Sequence, residues 1–126
     1  MYNNFSNTGV NNMEKKSLAA AQEFSDKQFT KRIIFREGES TVFVLNFLPG
    51  QQLPAHKHPG TNVYLMVLQG GGTLVIDGVP TDVLEKDVIL AGGEEEFAFT
   101  NSTSENTTLY VMLNKIPDER YVQNIE

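Results

Sequence analysis

The chain contains no cysteine and no tryptophan, and only two histidines. Without cysteine there is no disulfide frame, no thiolate nucleophile and no sulfur-rich metal site. A reducing compartment, the cytoplasm, is the expected setting. Bases are scarce as well: ten Lys and Arg stand against sixteen Asp and Glu, a formal net charge of −6. Nucleic acid and anionic lipid both select clustered Lys and Arg, so neither is an expected partner. Long apolar runs are missing. The longest, VYLMVL at residues 63–68, is far too short to span a bilayer. The N-terminus shows no basic region followed by an apolar core, so no signal peptide is expected. Also absent are a nucleophile elbow, a phosphate-cradling glycine loop before a helix, and a paired-carboxylate signature.

What is present is ordinary globular material. The chain has 126 residues, 40% of them hydrophobic, enough for one domain with a real core. Residues 1–16 begin with the polar, asparagine-rich MYNNFSNTGVNN and are expected to be a disordered or loose extension. Residues 17–30 carry Ser17 as a candidate N-cap ahead of LAAAQEF. Alanine favours helix, so a short helical arm of two turns, anchored by Phe24, is expected there. From Lys31 the pattern changes to short runs rich in Val, Ile, Phe and Thr: KRIIFRE, TVFVLNF, TLVIDG, DVLEKDVILAGG, EFAFTN and TTLYVMLNK. Turn signals separate them: Gly-Glu-Ser at 38–40, Gly-Val-Pro at 78–80, and Glu85-Lys86. Short strands with closely spaced turns predict an all-β sandwich or closed barrel over residues 31–117. Residues 118–126 form a charged tail.

The two histidines, His56 and His58, have one residue between them and sit in GQQLPAHKHPG. Residues two apart on an extended strand share a face, so both imidazoles are expected to point the same way. Two imidazoles hold a metal only with help, since zinc sites use three or four protein ligands. Glu95, in GGEEEF, lies two residues before Phe97 and would share its face if that stretch were extended. It is the candidate third ligand. The run VYLMVL is apolar on both strand faces: Val63, Leu65 and Val67 on one, Tyr64, Met66 and Leu68 on the other. A strand with one wet face alternates, so something should cover the outside. A second subunit is the expected cover, and the chain's own N-terminal arm is the alternative.

These residues resemble the cupin family. Gly50, five residues, His56-X-His58 and then Gly70 follow that family's first motif. The stretch KDVILAGGEEEFAFTN holds the register of its second, with Asp87, Phe99 and Asn101 in place. The departures are equally specific. Val63, or Asn62 on the shorter spacing, stands where the family places a ligand glutamate. Phe97 stands for its histidine, Gly92 for its proline and Glu94 for its glycine. The resemblance implies a cupin-like jelly-roll barrel and, as such barrels often dimerise across a sheet, a homodimer. It also implies that Val63 and Phe97 face the pocket beside His56 and His58.

The expected function is binding of a small polar or anionic molecule inside the barrel. A divalent zinc, nickel or iron ion on His56 and His58, held weakly, with Glu95 as an added ligand, is the cofactor this arrangement would take. A metal-dependent enzyme of dioxygenase or isomerase type is the second reading. A non-catalytic barrel for sensing or assembly is the third. Fold alone does not choose among them.

Overall fold

A computed structural model of the protein describes residues 12–116. Nine strands follow a short 3₁₀ turn at Leu18–Ala21 among the described residues. They are β1 (Thr30–Glu37), β2 (Ser40–Phe47), β3 (Gln52–His56), β4 (Thr61–Gln69), β5 (Gly71–Ile76), β6 (Val79–Leu84), β7 (Val88–Gly92), β8 (Phe97–Thr100) and β9 (Thr107–Lys115). They form two antiparallel sheets, ordered β1-β2-β9-β4-β7 and β3-β8-β5-β6. This is the all-β architecture that the strand spacing predicts, in the jelly-roll form that the resemblance implies. Residues 1–11 and the tail 118–126, read from sequence as loose segments, lie outside the described residues.

Local chemistry explains where the chain turns. Asp77 and Gly78 both take positive φ, 48° and 81°. That is the primed turn whose twist matches the flanking strands. The turn sits just ahead of the expected Gly-Val-Pro, and Pro80 falls inside β6. Because β6 is an edge strand, its missing N–H breaks no ladder. Gly70 carries the chain from one sheet to the other at φ +79°, and a Cβ there would stand 2.4 Å from the Asn106 carbonyl oxygen. Only glycine fits such a crossing.

The inner faces of the two sheets meet in an apolar core. Phe43, Leu45 and Phe47 of β2, Val63, Leu65 and Val67 of β4, and Leu109 and Val111 of β9 all point into it. Phe99 of β8 meets Phe47 from the other sheet, with ring centroids 4.9 Å apart, and Phe29 stacks on Phe47 at 5.2 Å. Each such side chain contributes roughly 1.5–3 kcal/mol on leaving water.

The N-terminal arm differs from the expected two-turn helix. Only Leu18–Ala21 turns, as 3₁₀, and Ser17 makes no side-chain cap. Helices this short are marginal without tertiary support, and here the tertiary contacts favour another path. The Ala21 carbonyl accepts from Asn46 Nδ2 at 2.9 Å. The Gln22 amide reaches Gln69 Oε1 and Thr108 Oγ1. Lys16 Nζ donates to the Ile34 carbonyl at 2.8 Å. The arm is thus laid as an extended strap across the outside of β1 and β2. Its aromatic anchor in the core is Phe29; Phe24 is half-buried and stands outside the core cluster.

Candidate functional site

His56 closes β3, an edge strand of the four-stranded sheet. The pairing of β3 with β8 slips between Leu53 and His56, so that Leu53 faces Phe99 while His56 faces Phe97. This is a bulge, and bulges re-aim side chains. Pro54 sits inside it, and the Pro54 carbonyl accepts a hydrogen bond from His56 Nδ1 at 2.8 Å. His58 lies beyond the strand. Its backbone is clasped from two sides: its N–H donates to the Gly93 carbonyl at 2.9 Å, and its carbonyl accepts from Thr61 N–H at 3.1 Å. A Cβ on Gly93 would lie 2.0 Å from the His58 carbonyl oxygen and 2.2 Å from that of Thr61. Glycine at 93 is therefore what lets the turn after β7 approach the histidine loop.

The two imidazoles meet. Their Nε2 atoms are 2.9 Å apart and the rings stand nearly edge to face. Phe97 forms the wall behind them, 4.9 Å from the His56 ring and 5.8 Å from the His58 ring, centroid to centroid. The geometry assigns the protons of the neutral pair. A carbonyl only accepts, so His56 Nδ1 carries its hydrogen and its Nε2 carries the lone pair. His58 Nε2–H then donates to that lone pair, and His58 Nδ1 is left as a hydrogen-bond acceptor. Burial, then the adjacent His56, then Lys31 hold the His58 pKa below the ordinary 6.5. Near neutral pH the ring is accordingly an uncharged acceptor, a group able to take a proton or a hydrogen bond.

The residues expected in the pocket fare differently. His56, His58 and Phe97 come together. They do so through a bulge and a clasped loop, where sequence predicts one continuous strand face. Val63 is buried in the core, 2% exposed, paired with Ala91 and Leu113 across β4. Glu95 does not join the histidines. The stretch GGEEE is a turn, and Glu95 Oε1 accepts the Gly92 N–H at 2.7 Å, closing that turn on itself. Among the described residues no three His, Cys, Asp or Glu side chains gather as a metal site. Two nitrogen donors therefore fill two positions of an ion's shell. They fall short of the three or four protein ligands of a resident metal centre.

Lys31, which the sequence reading does not single out, pairs with Leu45 across β1 and β2 and is exposed to solvent. Its Nζ stands 4.5 Å from the centroid of the Phe43 ring, and its charge acts on His58.

Solved structures of similar shape frame this geometry. The TT1209 protein of Thermus thermophilus superposes with a TM-score of 0.77 at 19% identity, over 83% of this chain and 100% of that one. An RmlC-like cupin protein from Desulfovibrio desulfuricans gives 0.74 at 23%, over 82% and 97%. The cupin domain of an XRE-family transcriptional regulator from Enterobacter cloacae gives 0.65 at 16%, over 71% and 98%. At these identities the likeness is one of fold. No curated protein matches the chain. The model of the Cupin_2 family, described as a cupin domain, matches residues 43–113, more than half of the sequence and all of the strands that hold the histidine pair and its wall: this chain belongs to the cupin family.

Proposed function

We propose that the barrel is a binding module for a small polar or anionic molecule held at the His56–His58 mouth. The observation that carries this reading is the imidazole pair itself. It is fixed by the Pro54 carbonyl on one side, backed by Phe97, and left with an acceptor at His58 Nδ1. Apolar walls with a few convergent polar groups are what small-molecule sites consist of. The test is a thermal-shift and calorimetric screen of small polar and anionic metabolites against the intact protein and against His56→Ala and His58→Ala. A binder lost in either variant supports the site. Binders indifferent to both would place the function elsewhere.

One distance favours a second reading. Two nitrogens each about 2.0–2.1 Å from one ion, at a right angle, stand about 2.9 Å apart, the separation the Nε2 atoms have. A divalent zinc, nickel or iron ion would occupy this bite weakly and exchangeably, with water or a ligand oxygen completing its shell. Titration of chelator-treated protein should show an ion removed by dialysis, and no uptake in His56→Ala. Retention through dialysis against chelator would reveal a ligand beyond the described residues. The dioxygenase or isomerase reading needs that further ligand.

The outer face of β4, β7 and β9 suggests the assembly. Tyr64, Met66, Val88, Leu90, Tyr110 and Met112 line an uncharged groove there, and Val88 is 74% exposed. The occupant we propose is a second copy of the chain. Copies that each carry −6 repel through most of their surface, and an uncharged apolar patch is where they approach at least cost. The mass in solution by light scattering decides it: a monomer at micromolar concentration refutes the dimer. No helix of the described residues is long and apolar enough to cross a membrane. With the absence of cysteine, that is consistent with our proposal of a cytoplasmic location, which fractionation would check.

A further inference from the structure

One turn carries both parts of the mouth. His58 lies in the loop between β3, which ends at His56, and β4, which begins at Thr61, so no strand ladder fixes it. The turn after β7 does. His58 N–H donates to the Gly93 carbonyl at 2.9 Å, and the buried Gly93 packs closely against the His58 carbonyl. The same turn runs directly into Phe97, the wall behind both imidazoles. Each end of it is closed by one acid that engages both backbone groups of a single residue. At the start, Glu95 N–H donates to the Gly92 carbonyl at 3.1 Å, and Glu95 Oε1 accepts from Gly92 N–H at 2.7 Å. At the end, Asp77 N–H donates to the Glu96 carbonyl at 2.7 Å, and Asp77 Oδ1 accepts from Glu96 N–H at 2.8 Å. Asp77 opens the turn between β5 and β6, so that hairpin is tied to the mouth through residues 92–96.

Resting on the reading of His56–His58 as the binding site, we propose that Glu95 and Asp77 are its positioning residues: they lock the 92–96 turn, and through Gly93 and Phe97 that turn holds the imidazole pair. The Nε2 atoms stand 2.9 Å apart, a contact that requires the His58 backbone to be held within about 0.5 Å. Both acids act as hydrogen-bond acceptors within the turn. An amide oxygen of the same shape can accept the same bond, more weakly than a carboxylate. A ligating carboxylate has no such substitute, because an amide brings no charge to the ion. The conservative variants therefore separate the two roles. Asp77 lies at φ 48°, a conformation that asparagine and glycine both accept. Glu94, beside Glu95 and exposed, has the same charge and serves as the control for charge alone.

The experiment uses two readouts on the full, chelator-treated chain at about pH 8, above the ordinary imidazole range. The first is the His58 Nε2 proton in a long-range nitrogen–proton NMR spectrum. Held between the two rings it stays visible; released to water it exchanges away. The second is calorimetric titration with nickel. In Glu95→Ala and in Asp77→Gly the proton signal should be lost and nickel should bind about tenfold more weakly, as when an outer support of a metal ligand is removed. Glu95→Gln and Asp77→Asn should keep the signal and bind nickel within about threefold of the parent. Glu94→Ala should match the parent. Circular dichroism checks folding, and the two truncations act at opposite ends of the turn, so loss of fold in one leaves the other to decide. A parent that takes up no nickel, but whose His58 proton follows this order, upholds the positioning and removes only the ion. Equal loss of nickel in Glu95→Ala and Glu95→Gln would make Glu95 a ligand and overturn the inference. So would a parent without a protected His58 proton, or truncations that leave that proton in place. If small polar compounds bind through His58 while Glu95→Ala and Asp77→Gly change nothing, the site at His56–His58 stands and only the positioning falls.

Discussion

Strands β2 and β4 carry the same kind of sequence, VFVLNF and VYLMVL, and meet opposite fates. Both carry apolar side chains on both faces, with Asn46 the one polar residue between them, and both pair with β9, one on each side of it. In β2 the outward Val44 and Asn46 are completely buried. The strap of residues ahead of β1 lies over them, and Asn46 is satisfied by the Ala21 carbonyl, Thr30 and Thr108. In β4 the outward Tyr64 is 38% exposed, and Leu90 of the neighbouring β7 is 64% exposed. An apolar outer face is thus a request for a cover, and the strap answers it over only half of the sheet. Asn46 marks the covered half, because its side chain hydrogen-bonds the Ala21 carbonyl of the strap.

Acidic substitutions break this comparison most strongly. Val44→Asp buries a charge with no partner under the strap, and we expect a loss of about 3–5 kcal/mol, read as a collapse of the urea midpoint. A variant that unfolds at the same urea concentration as the parent would show that the strap does not seal β2. Asn46→Ala comes next: it strands the Ala21 carbonyl and Thr108 and should cost about 1–3 kcal/mol. An unchanged midpoint would mean water replaces the amide. On the open half, Met66→Glu should cost the fold little, within about 1 kcal/mol as for ordinary surface changes. It should convert the proposed dimer to monomer in light scattering; a dimer that persists places the interface on another face.

The smallest effect is that of pH, and it reports on the mouth, away from both outer faces. The His58 pKa is lower folded than the unfolded value of 6.5. As pH falls, the unfolded chain takes up that proton first, so stability is intact above about 6.5 and declines below it until folded His58 is also protonated. The decline should persist in Met66→Glu and vanish in His58→Ala. A profile identical in parent and His58→Ala would show that the ring is not held neutral by its surroundings.

Much of the barrel was legible because alternation and turn chemistry are local: Glu85-Lys86 turns where sequence places it, with Lys86 at φ 78°. What failed were inferences that carried a strand face across an irregularity. His56 and His58 do converge, but through a bulge at Pro54 and a clasp to Gly93, neither of which periodicity encodes. Glu95 was assigned to the face of Phe97 on the same logic, and a turn redirected it to Gly92. The three alanines of the arm favour helix weakly, and hydrogen bonds from Asn46 and Gln22, far apart in sequence, override such a preference.

The place of β9 in the five-stranded sheet bears on how the protein is made. It is the last strand of the described chain, yet it sits at the centre, between β2 and β4. Thr107, at its start, also ties Gly71 of the second sheet through two hydrogen bonds. During synthesis, β2 and β4 therefore emerge as two bare apolar edges, each more than thirty residues ahead of its shared partner. Such edges template aggregation. A chain stopped after Asn106 is expected to collect in the insoluble fraction. A separate peptide of sequence TTLYVMLNK, supplied during refolding, should restore soluble barrel by filling the vacant central slot. A soluble, folded product without those residues would show that the two halves close on each other unaided.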